Sequence, residues 1–507
     1  LVKVKDLKVI SRTSVMEYKN TTKKLKDIAE ELGVAHILEG SIQRANGRVR
    51  VVGQLIDAYT DKHIWAETYD RKESDIFELQ SDVAIQIAQA MKSELTTDEK
   101  ARISEKLTEN TAAYEYYLKG IIINSSGHTE NNIRAGIKEF ERATILDPNF
   151  AEAYAMLGKM YAHLKWYRYD LTGESLIKSK GAIDKAIKLK PNSPVARFSL
   201  GVYHYHGYRD YSKAMDEFLF ASSMEPGNDN FIWYQGLIYR RLGDFGKSIE
   251  LGLQAIELNP RSVLMLQNTA QSYTSIRNYN SAIDLYKNAI SLSNKSKQTV
   301  WAYLRSLFFK TGDPVYLLEE LESLGGSYPW VTFDLKYYNK DYLKALEYAN
   351  QQKDIGTDGV RNYLPHDYKL GNIMVGLVDA SKADYYYRQA ENIINEMLEK
   401  YPNDWRFYST LGLISARQGK NNKAVKYGLK AKEMLPLSKD ALFGTYPEIN
   451  LAKIYILIGQ IDKGINQIEL LSTLDGGLHY GQLKVDPIWD SIREDQRFIN
   501  ILNRLKP

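Results

Sequence analysis

The sequence contains no cysteine among its 507 residues. That excludes disulfides, a thiolate nucleophile and a Cys-ligated zinc site together. It leaves the compartment open, because a cysteine-free chain tolerates reducing and oxidising surroundings alike. Long hydrophobic runs are missing too. No segment approaches the roughly 18 apolar residues that span a bilayer, and the most apolar stretch near the end, Ile454–Ile458, is short and follows Lys453. The first residues do not read as a secretory leader. The chain opens on Leu1, inside a helix-like pattern, and reads as a piece of a longer protein. Charge of one sign is also absent: 67 Lys and Arg stand against 63 Asp and Glu, a net +4. So small a net charge over this length gives no bulk attraction to nucleic acid or anionic lipid.

Catalytic signatures are equally scarce. Gly246-Lys247-Ser248 resembles the end of a phosphate-binding loop, but such a loop needs a glycine five residues before Gly246, and Arg241 stands there. No Gly-x-Ser-x-Gly nucleophile turn occurs. His204 and His206 are two apart, on different faces of a helix, and the eight histidines do not cluster along the chain. Glu319/Glu320 and Asp486/Asp490 sit in charged or capping contexts rather than in a buried convergent pair. The basic residues Lys3, Lys5, Lys8, Lys19, Lys23 and Lys24 are followed by Asp27, Glu30 and Glu31, a solvated surface rather than a basic stripe with stacking aromatics. The sequence therefore predicts no catalytic residue, no metal site, no cofactor and no nucleic acid as partner.

What is present is a repeat. The composition is 44% hydrophobic and 26% charged, that of an ordered chain, and the length calls for several units or an array. Tyrosine is abundant, with 37 copies; its ring packs between helices while its hydroxyl stays hydrated. Pro148, Pro191, Pro226 and Pro260 each follow an apolar helical run, at spacings of 43, 35 and 34. Asn294 and Pro329 continue the step, and Pro402 and Pro436 are again 34 apart. Proline ends a helix because it has no N–H and restricts the residue before it. Five residues before these positions stand Ala143, Ala186, Ala221, Ala255, Ala289 and Ala431, small enough to let helices approach closely. Gly158/Tyr161, Gly236/Tyr239, Ala270/Tyr273 and Ala452/Tyr455 repeat a small residue with an aromatic three later. Gly243, Gly419 and Gly459 mark left-handed helix ends. Ala214/Phe218 and Ala282/Tyr286 repeat an Ala-x-x-x-aromatic in the second helix.

This set resembles the tetratricopeptide family, whose unit is two helices in about 34 residues. The resemblance covers residues 110–475, about nine or ten units. It weakens about residues 300–400, where the units look degenerate, and insertions stand at Asn124–Asn132 and Lys165–Gly173. Residues 476–507 are expected to cap the last apolar face. The fold class expected is mainly α: a tetratricopeptide α-solenoid behind a small, incomplete α/β domain.

That front domain is expected over residues 1–95, with 96–109 as a linker. Leu7–Ile10 is short and apolar, and Thr22–Leu32 reads as an amphipathic helix ending at Gly33. His36–Arg44 and Arg48–Ala58 flank Asn46-Gly47, a strong hairpin signal, and His63–Tyr69 reads as a third strand. Ser74 is expected to cap a helix running through Ile76, Leu79, Val83, Ile87 and Met91. The runs Leu7–Ser14, Gly33–Ser41 and Trp65–Arg71 resemble the TolB-like N-terminal domain found before tetratricopeptide repeats in bacteria, and Val485–Arg493 resembles the tail of such fusions. The resemblance implies a partner-binding or sensory half, joined upstream to an output module such as a class III nucleotide cyclase or a winged-helix regulator. With the missing cysteines it favours the extracytoplasmic side of a bacterial cell, with the cytoplasm as the alternative.

In such an array the first helix of each pair lines the concave wall. Counted from each unit's small residue, helical geometry and the family resemblance together imply that Lys159, His163, Phe198, Tyr205, His206, Trp233, Arg240, Arg241, Gln267 and Gln271 lie there. Trp and Arg often dominate interface energy, so Trp233, Arg240 and Arg241 are expected to receive an extended or helical peptide with acidic side chains.

Overall fold

The computed structural model describes residues 1–72, 75–91, 95–351 and 361–507; the expected cap Ser74 lies outside them. The chain forms two compact units. One is Leu1–Ile238 with Glu250–Met265, the other Tyr239–Ile249 with Leu266–Pro507.

Near the start, β1 (His36–Ala45), β2 (Arg48–Asp57) and β3 (Lys62–Lys72) form one antiparallel sheet in the order β1-β2-β3. Its register pairs Ala45 with Arg48 across the Asn46-Gly47 turn. Both turn residues have positive φ, 52° and 70°, as a tight hairpin with right-handed strand twist requires. Val49, Leu55 and Ile56 of β2 are buried, as are Phe77, Leu79 and Ile87 of helix Ile76–Ala90. Helix Leu25–Leu32 ends at Gly33 in the left-handed region. Leu7–Ile10 is not a strand. The segment instead leads into Ser11, whose N–H donates to Leu258 O at 2.8 Å, and Ser14, whose hydroxyl donates to Asn259 Oδ1 at 2.7 Å. These bonds satisfy its polar groups against a repeat helix rather than a neighbouring strand.

The rest is paired helices. In the first unit Thr111–Ser125 pairs with Glu130–Leu146, Ala151–Trp166 with Glu174–Leu189, and Pro194–Tyr203 with Tyr211–Met224. In the second, Lys297–Thr311 precedes Pro314–Leu324, Pro329–Tyr338 precedes Tyr342–Gln351, and His366–Gly376 pairs with Ala380–Lys400. Trp405–Arg417 with Asn421–Met434, and Thr445–Leu457 with Ile461–Thr473, complete it. Helices Asp229–Leu242, Phe245–Leu258, Val263–Ser275 and Tyr279–Leu292 carry the intervening repeats. The marked alanines, from Ala143 to Ala431, are all 0% exposed. Gly243, Gly419 and Gly459 have φ of 92°, 72° and 79°, a conformation that is inexpensive only without a Cβ. Pro329 does not end a helix. It is the first residue of Pro329–Tyr338, where its missing N–H would have had no intrahelical partner.

The tail covers the last pair: Phe498, Ile501 and Leu505 share a core with Ile465, Ile468 and Leu471. Trp489, fully buried, joins it. The second unit also closes on itself. Arg277 Nη2 donates to the carbonyls of Ser472, Leu474 and Leu478, each at 3.0 Å. Gly476 N–H donates to Ser275 O at 2.9 Å, and Lys484 Nζ to Thr311 O at 3.1 Å. Helix Tyr480–Val485 approaches Lys297–Thr311 at Gly481, where a Cβ would collide with Phe308 O. A solenoid repeat ordinarily touches only its neighbours; here residues some 200 positions apart are bonded.

Candidate functional site

Six of the ten expected wall residues come together in the first unit. Lys159 Nζ lies 5.3 Å from the centroid of the Phe198 ring. His163 Nε2 is 3.4 Å from Tyr234 Oη. The rings of Phe198 and Trp233 stand 4.9 and 5.1 Å from that of Tyr234. His206 stacks on Trp166 at 4.6 Å, and Tyr205 packs on the same indole at 4.9 Å. A single π-helical turn, His204–Tyr208, brings both residues inward; such turns shift the helical phase locally. His204 stays only partly buried while His206 is buried.

The histidines nevertheless cluster in space, through a residue the spacing could not supply. His128 lies 4.6 Å from His163, and His163 lies 5.1 Å from His206. Burial pushes His128 down to about 3 and His163 well below the usual imidazole range, so these two imidazoles are neutral at physiological pH. Lys159 is held down at about 8 by burial, against a smaller upward pull from Asp229. Among the described residues no group of three His, Asp or Glu has metal-ligand geometry. His128 and Trp166 belong to the two insertions and Tyr234 adjoins Trp233. Sequence reasoning set the insertions aside as departures from the repeat, although they complete the wall.

The four remaining residues lie in the second unit, and the expectation of arginines presented to a groove is corrected there. Arg240 and Arg241 are 4% and 2% exposed. Arg240 Nη2 donates to Asn268 Oδ1 at 2.6 Å, and its Nη1 to Gln271 Oε1 at 3.2 Å. Arg241 Nη1 stands 3.5 Å from Asp440 Oδ1, and its guanidinium lies 3.9 Å from the Phe443 ring centroid. Ala441 N–H donates to Arg241 O at 2.8 Å. An acidic, aromatic segment thus does meet Arg241, but it belongs to this chain. Gln267 donates to Thr299 Oγ1 at 2.7 Å. Gln267 and Gln271 keep partial exposure, whereas Lys159, His163, Phe198, Tyr205, His206 and Trp233 are buried like the arginines. Aromatic and polar side chains of this kind fill the space between these helices.

The chain matches the tetratricopeptide repeat family model over residues 235–262. With the succession of helix pairs, that match is in keeping with a mainly α, tetratricopeptide-type solenoid fold. It is 31% identical over 205 residues to "Putative adenylate cyclase 3" of Rhizobium meliloti (strain 1021), covering 40% of this chain and 34% of that protein. It is 28% identical over 148 residues to anaphase-promoting complex subunit 3 of Schizosaccharomyces pombe, covering 29% of this chain and 21% of that one. The chain therefore spans about a third and about a fifth of the length of these relatives. A crystal structure of a thermophilic TPR protein from Thermus thermophilus is 18% identical, covering 38% of this chain and 98% of that one, with a TM-score of 0.33. No helix among the described residues is long and apolar enough to cross a membrane.

Proposed function

We propose that this chain is a non-catalytic scaffold that binds a protein or peptide and serves as the partner-sensing part of a larger bacterial signalling protein. The observation that carries the reading is the array of helix pairs with a tetratricopeptide family match at residues 235–262, an architecture that presents extended surfaces to partners. In each unit the wall residues named above form the proposed docking region. The partly exposed Gln267 and Gln271 make direct contact, and the buried aromatics and arginines hold the helices that present it. The front sheet belongs to the same sensing half, in keeping with its TolB-like resemblance. A second reading, the regulatory region of a class III nucleotide cyclase, is favoured by the 31% identity to a protein named as an adenylate cyclase.

A photo-crosslinking residue at Gln267 or Gln271, compared with one at Ile177, which is 77% exposed, tests the scaffold reading. A partner joined from the inner positions and absent from the Ile177 control is expected. A folded bait that crosslinks nothing from the inner positions overturns it. The chain alone, given ATP and magnesium, is expected to make no cyclic AMP.

A further inference from the structure

Closure of the second unit forms a partly open cavity of about 200 Å³ between helices Lys297–Thr311 and Pro329–Tyr338 on one side and residues 446–489 on the other. Its walls are aromatic, with Trp301, Phe308, Tyr338 and Trp489 among them; Asp334, Asp486, Lys453 and Arg305 bring charge to the lining, the Arg305 guanidinium lying 4.3 Å from the Trp301 ring centroid. Lys453 is matched within the protein, with Nζ 2.7 Å from Asp486 Oδ2. Asp334 differs. Its ion-pair partner, Lys369 Nζ, stands 3.6 Å from Oδ1, and Asp334 keeps 40% of its side-chain surface against 13% for Lys369. An ionised carboxylate offers about four acceptor sites, so one long contact leaves most of its capacity unused. Asp334 lines the cavity, and burial pushes its pKa up, against the downward pull of Lys369.

We propose that this cavity is a binding site for a small aromatic amine, its ammonium on Asp334 and its ring against Trp301 and Tyr338. Each feature of the site asks for part of that ligand. A carboxylate with spare acceptor capacity gains most from a charged donor. Electron-rich faces attract a cation and accept a ring offset or edge-on. A dry cavity of about 150 Å³ admits benzene, so this one takes a single substituted ring. The site is a small-molecule input, separate from the protein-docking surface proposed above, and stands or falls independently of it.

Titration of the full chain with phenethylamine, 2-phenylethanol and phenylacetate, followed by tryptophan fluorescence and calorimetry, tests the assignment. Phenethylamine is expected to bind at least about tenfold more tightly than the neutral and anionic analogues, the usual worth of one charged hydrogen bond. Asp334→Asn is expected to erase that preference. Lys369→Met, which removes the competing cation and leaves the carboxylate, is expected to keep or sharpen it. No saturable phenethylamine binding, equal affinity for the three compounds, or a preference that survives in Asp334→Asn overturns the proposal. If circular dichroism shows Asp334→Asn unfolded, the charge series on the wild type and on Lys369→Met decides. Failure here leaves the crosslinking result untouched.

Discussion

Asp440→Ala should unfold the closure of the second unit at a cost the structure lets one estimate. Asp440 is 0% exposed and Arg241 2%, so the substitution strands a guanidinium in the interior. Removing one partner of a buried ion pair costs about 3–5 kcal/mol. Asp440 Oδ1 also accepts the amides of Leu442 and Phe443 at 3.2 and 2.9 Å, bonds worth about 1 kcal/mol each. These overlap with the first figure, so a loss of about 4 kcal/mol is expected. Asp440→Asn, which keeps an acceptor oxygen but not the charge, should lose about half as much. Arg241→Met combined with Asp440→Ala should recover part of the loss, because no unpaired charge then remains. Urea unfolding followed by far-ultraviolet circular dichroism measures all three. Amide exchange should show protection lost at 440–444 and also at Gly476, whose N–H is bonded to Ser275 O. An Asp440→Ala variant within about 0.5 kcal/mol of wild type, at unchanged m-value, would refute the argument, since that is the range of ordinary surface substitutions.

Two further outcomes follow from particular residues. The folded chain holds Lys159 at about 8 rather than the ordinary 10.5, which corresponds to about 3 kcal/mol of destabilisation. That cost is fully present below pH 8 and fades as pH rises from there to the unfolded value of 10.5, so Lys159→Met should stabilise the protein near pH 7, with a gain that shrinks above pH 8 and is gone above about pH 11, read by thermal melts across pH. Gly419 has φ 72° with open space where a Cβ would go, so Gly419→Ala should cost about 1 kcal/mol from the backbone alone, measurable by the same urea titration; a neutral result would show that the turn can leave the left-handed region.

The repeat was legible because its causes are local. Most helix ends of the array are marked by a proline, a glycine or an asparagine within a few residues, and Asn294 has φ 47°. The fully buried alanines were legible for a related reason: neighbouring helices meet at a fixed distance, so the same small position recurs in unit after unit. The hairpin followed from Asn46-Gly47 alone. The wall was harder. Helical phase put Tyr205, His206 and Trp233 on the inner side, but periodicity says only which way a side chain points, not whether anything stands opposite. Arg241, expected on the concave wall, meets Asp440, 199 residues later in the chain.

Backbone sterics and contacts with the next element settle the helix pairs, their period, their left-handed ends and the three-stranded meander, so the order of amino acids is enough to read them. Long-range packing settles the rest. It returns residues 440–490 to helices near 240 and 270–340, gathers three histidines from separate repeats and an insertion into one cluster, and sets a carboxylate in the lining of an aromatic cavity. Those outcomes depend on small rotations between successive repeats, summed over many of them. No single repeat encodes that sum, so the closure, and the cavity it creates, can be read only from the folded chain.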